Sequence, residues 1–406
     1  MVWYCPLCWA EWGEGTARCL MCGARLHEDQ GFAERLIATL GTHETSVVRQ
    51  AARILGERGD RQAVKALVHA LESTGDEFVL ESIATALGRI GDMGAVAPLC
   101  RLVTSAPRAA REAACAALAR LNAGEALPVL QQAAPHLGPS GLRAMEYLEG
   151  RAANPPPYPS DRWKRRAALE GDATALVREK LGCAGCPICA LMSEDLDAFL
   201  AQWQYLAPLH KPVRERFCER RGFCAQHLAA MRRVASPQGL DIPLSDMLAI
   251  LAEDIPKLKE APWALTGSSS ECALMGDEDG CQACALCAQA EARYVDGLAG
   301  LLQEPPFRPA YAHSRGVCLP HFLCVRQRVP DNGLRQWLDE VQRSCLKRLV
   351  AEMQSHLRKH SQRLRREMTG EEERASLRSL AMLRGDPAVV PGISTRLTSQ
   401  QPDAGH

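Results

Sequence analysis

Apolar residues recur every three or four positions over long stretches of the chain, which is the period of an amphipathic helix. The longest such pattern runs from about Gly333 to Arg366, and its apolar positions are Leu334, Leu338, Val341, Cys345, Leu349, Met353 and Leu357. Aromatic residues make up only 5% of the chain, which is low for a protein built from β-sandwiches. Ala, Leu and Arg are abundant and favour helix. We therefore expect a mostly α fold.

A repeated pattern of apolar positions lies between residues 31 and 150, in similar segments that begin at Val48, Leu80 and Ala110. A Leu-Gly step and a Gly-Asp turn recur at a spacing of 32, at Leu55-Gly56 and Leu87-Gly88, and at Gly59-Asp60 and Gly91-Asp92. In the third segment, Asn122 stands where the turn glycine is expected. Each segment predicts a helix, a tight turn whose Asp can cap the next helix, and a second helix. One such pair cannot bury its apolar face alone, so the pairs must stack into a solenoid.

These segments resemble the short HEAT-like repeats that also occur in phycobilin lyases. The resemblance covers about a hundred residues and implies an α-solenoid of helix pairs over residues 31–150. It implies no particular activity, because such repeats serve many roles. We expect the solenoid to present a binding surface for a protein partner.

Two Cys-x-x-Cys pairs lie near the N-terminus, at Cys5 and Cys8 and at Cys19 and Cys22. Two cysteines in one tight turn can point at the same ion, and two such turns supply the four thiolates of a tetrahedral zinc site. The stretch "YCPLCWAEWGEGTARCLMCGARL" resembles the short zinc ribbons of many bacterial proteins. We therefore expect a zinc ribbon over residues 1–28.

The third segment of the chain repeats a cysteine-bearing motif, which indicates an internal duplication. Gly-x-Cys-x-x-His occurs at Cys224 and His227 and again 94 residues later at Cys318 and His321. Upstream of these motifs, the run Cys183, Cys186, Cys189 matches the run Cys281, Cys284, Cys287, 98 residues on. We expect two helical zinc modules, over residues 166–270 and over residues 271–368, the second ending in the long C-terminal helix.

Each module is predicted to form its own closed metal site. The expected ligands of the two sites are Cys186, Cys189, Cys224 and His227, and Cys284, Cys287, Cys318 and His321. Three thiolates and one imidazole form a complete set for structural zinc. Each copy offers five candidates for four places, so Cys183 and Cys281 are alternate ligands.

Other interpretations of these cysteines stay open. The run Cys-x-x-Cys-x-x-Cys resembles part of a bacterial ferredoxin, and Cys183, Cys186, Cys189 and Cys224 could hold an iron–sulfur cluster. In those ferredoxins a proline follows the next cysteine, whereas Ala225 and Leu319 follow here. A thiol redox centre is a further alternative. Nucleic acid is a less favoured partner, since the 48 basic and 48 acidic side chains balance and only the end of the last helix is basic.

The third segment resembles an uncharacterised family of bacterial proteins marked by CPxC and a later GxCxxH, which are often duplicated. The stretches "CPICALM", "RRGFCAQHL" and "SRGVCLPHF" carry this resemblance. The second copy departs from the pattern at Ala285, where the first copy has Pro187. The resemblance implies no activity.

The remaining segments and the bulk properties complete the expectation. The proline run of residues 151–165 predicts an extended linker, and residues 385–406 have no apolar period and predict a disordered tail. No signal peptide and no run of about 18 apolar residues is evident, so we expect a cytoplasmic protein without a membrane span. No nucleophile–base pair or Gly-rich phosphate loop stands out. The sequence therefore predicts a non-enzymatic zinc-binding scaffold with three zinc sites.

Overall fold

A computed structural model of the protein describes residues 2–13, 16–26, 31–158, 167–254 and 280–361, together with 369 and 382–383. Helices dominate these ranges, and the only sheet in them is a two-stranded hairpin, so the prediction of a mostly α fold is confirmed. None of these helices has a stretch that is both long and apolar enough to cross a bilayer. The expected disordered tail, residues 385–406, and most of the second half of the linker lie outside the described residues.

The chain divides into two compact units. One unit is residues 27–165, and the other combines residues 1–26 with residues 166–406. The helices of residues 27–165 are α1 (Phe32–Thr39), α2 (Thr45–Arg58), α3 (Val64–Ser73), α4 (Glu77–Ile90), α5 (Val96–Ser105), α6 (Arg108–Arg120), α7 (Leu127–Ala133) and α8 (Pro139–Leu148). The elements of the other unit are β1 (Val2–Tyr4), β2 (Glu11–Gly13), α9 (Ala173–Lys180), α10 (Pro187–Leu209), α11 (Lys211–Glu219), α12 (Ala225–Val234), α13 (Pro237–Asp254), α14 (Gln282–Gln303), α15 (Arg308–His313), α16 (Leu319–Arg328) and α17 (Asn332–Ser361).

The turns of the repeat end helices as its sequence predicts. Gly59 and Gly91 terminate α2 and α4 with φ of 70° and 78°, in the left-handed region that glycine adopts without a steric penalty. Asn122 takes the same role after α6 with φ of 52°, since Asn tolerates this conformation better than most residues. The Asp92 carboxylate then accepts a hydrogen bond from the Gly94 N–H at 2.8 Å and caps the next turn.

The Leu-Gly step of the repeat allows neighbouring helices to pack closely. A Cβ placed on Gly56 would lie 2.6 Å from the Cα of Ala86, so α2 and α4 touch through small residues. A Cβ on Gly88 would lie 2.6 Å from the Cβ of Ala117, and α4 and α6 therefore pack in the same way. Because each contact removes apolar surface from water on both partners, stacking of the repeats builds one continuous core.

A buried carboxylate joins α6 to the start of α8. Glu112 of α6 is 7% exposed and accepts hydrogen bonds from the N–H groups of Gly138, Ser140 and Gly141 at 2.6, 2.8 and 3.1 Å. These donors lie at the start of α8, where helix geometry leaves them without intrahelical acceptors. The carboxylate satisfies them and complements the positive end of the helix dipole.

The chain folds back onto the stack after α8. Pro156 and Tyr158, which fall in the predicted linker, are buried. The Tyr158 ring lies under the guanidinium groups of Arg89 and Arg120, at 5.5 and 4.6 Å from its centroid. Its hydroxyl occupies space that a Cβ on Gly88 would fill. The start of the proline-rich segment is therefore part of the solenoid's packing.

The N-terminal hairpin shares one core with α9–α17. Strands β1 and β2 pair antiparallel, with Trp3 opposite Trp12. The Gly13 N–H donates to the Ala168 carbonyl at 3.1 Å, and the Trp12 ring lies 6.2 Å from the ring of Phe199. The hairpin is thereby fixed to the helices that follow residue 166.

Helices α10 and α14 are structural equivalents, and their equivalence corrects the predicted register of the duplication. All thirteen buried positions of α10 have a buried counterpart 95 residues on in α14. Cys186 and Cys281 are the N-caps of the two helices, so Cys186 corresponds to Cys281 and Cys189 to Cys284. The predicted match at a spacing of 98 is therefore wrong by one Cys-x-x-Cys step. The buried positions of α10 and α14 determine the alignment of the two copies, whereas the run of three cysteines allows more than one alignment.

We expect Tyr158→Ala to destabilise the solenoid by about 3 kcal/mol, a typical cost of truncating a buried aromatic side chain. In hydrogen–deuterium exchange of the full chain, the amides of α4 and α6 should lose protection. Tyr158→Phe keeps the ring and is the matched control. Unchanged protection in the alanine variant would show that the segment does not support these helices.

Candidate metal centres

The four N-terminal cysteines form a compact group. The sulfur atoms of Cys5, Cys8, Cys19 and Cys22 all lie within 4.8 Å of one another. Cys5 and Cys22 are 3.5 Å apart, and so are Cys8 and Cys19. The indole N–H of Trp12, on β2, donates to the Cys19 sulfur at 3.4 Å and holds this thiol in place. The two turns expected of a ribbon thus present one four-sulfur group that could hold a metal ion.

A second group, here called site A, combines the starts of two helices. It consists of Cys186, Cys189, Cys318 and His321. Cys186 is the N-cap of α10 and Cys318 is the N-cap of α16, and the second ligand follows three residues later in each helix. Residues three apart share a helix face, so each helix start offers two ligand atoms in one direction. The Nδ1 atom of His321 lies 3.4, 3.4 and 3.1 Å from the sulfurs of Cys186, Cys189 and Cys318.

A third group, here called site B, has the same construction at the starts of α12 and α14. It consists of Cys224, His227, Cys281 and Cys284. The Nδ1 atom of His227 lies 3.2, 3.5 and 3.3 Å from the sulfurs of Cys224, Cys281 and Cys284. Every member of this group is buried.

The predicted pairing of motifs within each module is wrong. Site A takes its Cys-x-x-Cys from the first copy and its Cys-x-x-His from the second, and site B takes the opposite combination. The long helices α10 and α14 pack against each other, while α12 packs on α10 and α16 packs on α14. Although each short helix packs on the long helix of its own copy, its Cys-x-x-His lies at the start of the other copy's long helix. The two copies exchange ligands, and neither holds a complete set.

One of the five candidate ligands of each copy lies outside the four-member groups. Cys281, predicted as an alternate, belongs to site B, whereas the predicted ligand Cys287 does not. The Cys287 sulfur lies 3.8 Å from the Nε2 atom of His227, behind the imidazole. The Cys183 thiol donates to the Gly185 carbonyl at 3.1 Å and is half-buried. All the other predicted ligands lie in one of the three groups.

The Nε2 atoms of His321 and His227, on the side of each ring away from the ligand sulfurs, lie next to different groups. The Nε2 atom of His321 lies 3.4 Å from a carboxylate oxygen of Glu291, a residue of α14 that is 8% exposed. A carboxylate behind a metal-bound imidazole fixes its orientation and raises its basicity. At site B, Leu196 occupies the position that is equivalent to Glu291, and Cys287 lies behind the imidazole instead. Glu291 was not among the predicted site residues, although an acidic residue on the apolar face of a helix was a signal for it.

The electrostatic field at both histidines favours a cation. Burial by itself would lower the pKa of each imidazole, but the neighbouring cysteine sulfurs outweigh it. They raise the pKa of His227 to about 12, and together with Glu291 they raise the pKa of His321 well above its ordinary value. A bound metal ion would neutralise the same negative potential.

The ribbon contacts site B through one side chain. The Gln282 amide donates to the carbonyls of Leu20 and Met21 at 2.8 and 3.0 Å. Leu20 and Met21 lie between the ribbon ligands Cys19 and Cys22, and Gln282 lies between the site B ligands Cys281 and Cys284. The two Cys-x-x-Cys turns therefore touch each other. At site A the equivalent position is Pro187, which has no side-chain amide to donate.

Two protein-family models match this chain. The model described as "Family of unknown function (DUF6062)" matches residues 177–388, which is more than half of the 406 residues. The chain belongs to this family. The matched region contains sites A and B, so the exchanged ligand sets lie in the part of the protein that the DUF6062 model covers. The second model, of HEAT repeats, matches residues 33–119 and confirms the predicted repeats.

Curated relatives of this DUF6062 protein are similar to its repeats. The bilin biosynthesis protein PecE of Nostoc sp. (strain PCC 7120) is 41% identical over 88 residues, which cover 22% of the chain and 35% of PecE. PecE of Mastigocladus laminosus is 42% identical over 83 residues, which cover 20% of the chain and 31% of that protein. The chain thus spans about a third of the length of each relative. These matches support the resemblance to repeats of the phycobilin-lyase type.

Single-ligand variants should report which cysteines share a site. In Cys224→Ser, we expect Cys281 and Cys284 to become reactive towards an alkylating reagent, while Cys186 and Cys189 stay protected. Cys318→Ser should give the opposite pattern. The reason is that loss of one ligand weakens the hold on its own set only. Alkylation followed by peptide mass spectrometry of the full chain makes the measurement.

Cys218→Ser is the control for this comparison, because Cys218 is a buried thiol outside the three groups. It should leave both sets protected. If Cys224→Ser exposed Cys186 and Cys189 instead, ligands would be shared within each copy and the exchange would be refuted.

Glu291→Gln should weaken metal binding at site A by about 10- to 100-fold, the usual effect of losing a carboxylate behind a ligating histidine. Site B should keep its affinity, since Cys287 lies behind its imidazole. Competition with a chelator of known affinity measures both sites. Glu194→Gln, the same change at an exposed position of α10, is the control. Equal weakening of both sites would mean that the carboxylate acts on the fold and not on His321.

Proposed function

We propose that this protein is a non-enzymatic zinc-binding scaffold, in which zinc ions fix the fold and the HEAT-like solenoid binds a protein partner. The convergence of three groups, each with four ligand atoms, carries this proposal. A catalytic zinc site has three protein ligands and keeps a position for water or substrate, whereas a structural site has four. Four ligands in each group therefore favour a structural role for all three ions.

The spacing of the sulfur atoms supports a single ion at each site. A tetrahedral zinc with bonds of about 2.3 Å holds its sulfurs about 3.8 Å apart. Two sulfur–sulfur distances in the ribbon are 3.5 Å, the Cys189–Cys318 distance at site A is 3.8 Å and the Cys224–Cys284 distance at site B is 3.7 Å. An iron–sulfur cluster would need more room, because several iron and sulfide atoms lie between its ligands. Zinc is thus favoured over a cluster.

The exchanged ligand sets explain why metal would matter for the fold. Each site combines a helix start of one copy with a helix start of the other, so each of the two ions would link the copies at a separate point. Structural zinc in small zinc peptides supplies about 10–16 kcal/mol of apparent binding free energy. This is comparable with the ~5–15 kcal/mol by which a whole domain is stable. The ions would therefore decide whether the copies stay together.

The solenoid is the surface that we assign to a protein partner. Stacked helix pairs bury their core between neighbouring repeats and leave extended faces, which proteins of this architecture use for binding. A reducing compartment such as the cytoplasm suits the proposal, since thiolate sites require reduced cysteines. Nucleic acid is less favoured, because the formal net charge is zero.

A role in bilin biosynthesis is the second candidate, and the identity with PecE is the observation that favours it. This similarity is confined to the repeats, which serve many functions in other proteins. A shift in the visible absorption of a linear tetrapyrrole on mixing with the protein would support this role. An unchanged spectrum at high protein concentration would argue against it.

Anaerobically purified protein should contain three zinc ions per chain and be colourless. Strong chelation should remove them and unfold the unit that contains residues 166–406, while the repeats, which contribute no ligand, keep their helices. Elemental analysis and hydrogen exchange of the same sample make the two measurements. Brown protein containing iron and sulfide would refute the zinc assignment. Full protection in the metal-free protein would refute the structural role.

A further inference from the structure

Sites A and B have equivalent ligands but unequal surroundings. All four ligands of site B are buried, whereas Cys186 of site A is partly exposed. A cavity of about 60 Å³ adjoins site A and is lined by two of its ligands, Cys186 and Cys318. It reaches the surface at Arg348, which is exposed. The cavity therefore leads from the surface to two ligand residues of site A.

Site B is covered where site A is open. The ribbon lies against the Cys-x-x-Cys of site B through the hydrogen bonds from Gln282 to Leu20 and Met21. The equivalent Cys-x-x-Cys of site A carries Pro187 in place of Gln282, and Ala184 and Gly185 before it line the cavity. Pseudo-symmetric sites thus differ in access because the N-terminal ribbon covers only one of them.

The charges around the cavity favour an anionic ligand. The guanidinium groups of Arg315 and Arg348 line it, with one carboxylate, that of Glu352. Arg348 is held in position by hydrogen bonds to the Ser314 carbonyl at 2.5 Å and the Cys345 sulfur at 3.1 Å. The positive charges of Arg348 and Arg315 attract thiolates and carboxylates, which are the groups that compete for zinc.

The spare cysteines of the two copies, Cys183 and Cys287, are placed differently. Cys183 is half-buried and lies next to Ala184, at the edge of the cavity. Gly182 and Gly185 lie on either side of it in the chain, and among the described residues nothing beyond their chain neighbours lies within 4 Å of a Cβ placed on either glycine. Cys287 is buried behind the site B imidazole. One spare thiol is therefore open to solvent three residues before the ligand Cys186, and the other is enclosed.

We propose that site A is a metal-exchange site, at which Cys183 relays zinc between the protein and an anionic thiol or carboxylate ligand, while site B and the ribbon hold their ions. This inference rests on the proposed zinc binding. With zinc held by Cys186, Cys189, Cys318 and His321, the Cys183 thiol would give its proton to solvent and its sulfur would take the place of the Cys186 sulfur, which would take up a proton. An incoming thiolate or carboxylate would then replace the remaining protein ligands one at a time. No electrons are transferred, so no oxidant or reductant is needed.

Zinc release from the full chain tests the proposal. Protein with three zinc ions per chain is mixed with a large excess of a chromophoric carboxylate chelator, and zinc transfer is followed by absorbance. We expect one equivalent in a fast phase and two in a slow phase. Cys183→Ser should keep three ions but slow the fast phase by roughly tenfold, an increase of about 1.4 kcal/mol in the barrier. Cys287→Ser, which removes the spare cysteine at site B, should leave the fast phase unchanged.

Alkylation during the fast phase identifies the site without any substitution. Cys186, Cys189 and Cys318 should become labelled in the wild-type chain while Cys281 and Cys284 stay protected. Three ions that leave in one phase, labelling of site B first, or an unchanged fast phase in Cys183→Ser would each overturn the proposal. Fewer than three ions in the starting protein would instead contradict the proposed function, so the two failures are distinguishable.

Discussion

The convergence of four ligand atoms on one point, supplied from both copies of a duplicated motif, is the constraint on which the metal-binding unit depends. Each Cys-x-x-Cys begins a long helix, and each Cys-x-x-His begins a short helix of the other copy. The ligands can meet only if α10 and α14 lie together with their first turns at the right places. Packing and ligation therefore specify the same arrangement, which is the kind of consistency that gives a sequence one fold.

The chemistry of the sites could be predicted from the sequence, but their partners could not. Spacings of three residues place two ligand atoms on one helix face, and this local geometry identified the cysteines and histidines. Which Cys-x-x-Cys shares a site with which Cys-x-x-His depends on how the helices pack. The sequences of the two copies are too similar to distinguish the two possible pairings. The register failed for a related reason, because three cysteines at equal spacing allow two alignments. Only the burial pattern of α10 and α14 separates them.

In the solenoid, the spacing of the repeat predicts the helices and turns but not all of their packing. The Leu-Gly and Gly-Asp positions predicted the helices and turns, and the structure adds the reason that Gly56 and Gly88 are small, which is contact with Ala86 and Ala117. The packing of Tyr158 on these helices could not be predicted from the repeat spacing. A proline run predicts an extended backbone but not the surface against which that backbone packs, since the surface is created by helices far away in the sequence.

The exchange of ligands also sets an order of events during synthesis. Cys284, the last ligand of site B along the chain, precedes His321, the last ligand of site A, by 37 residues. At about 5–20 residues per second, site B gains its last ligand several seconds before site A. During this interval the thiols of Cys186 and Cys189 have been synthesised, but the set that they form with Cys318 and His321 is incomplete. The site that is completed last is also the one with a partly exposed cysteine in the folded protein.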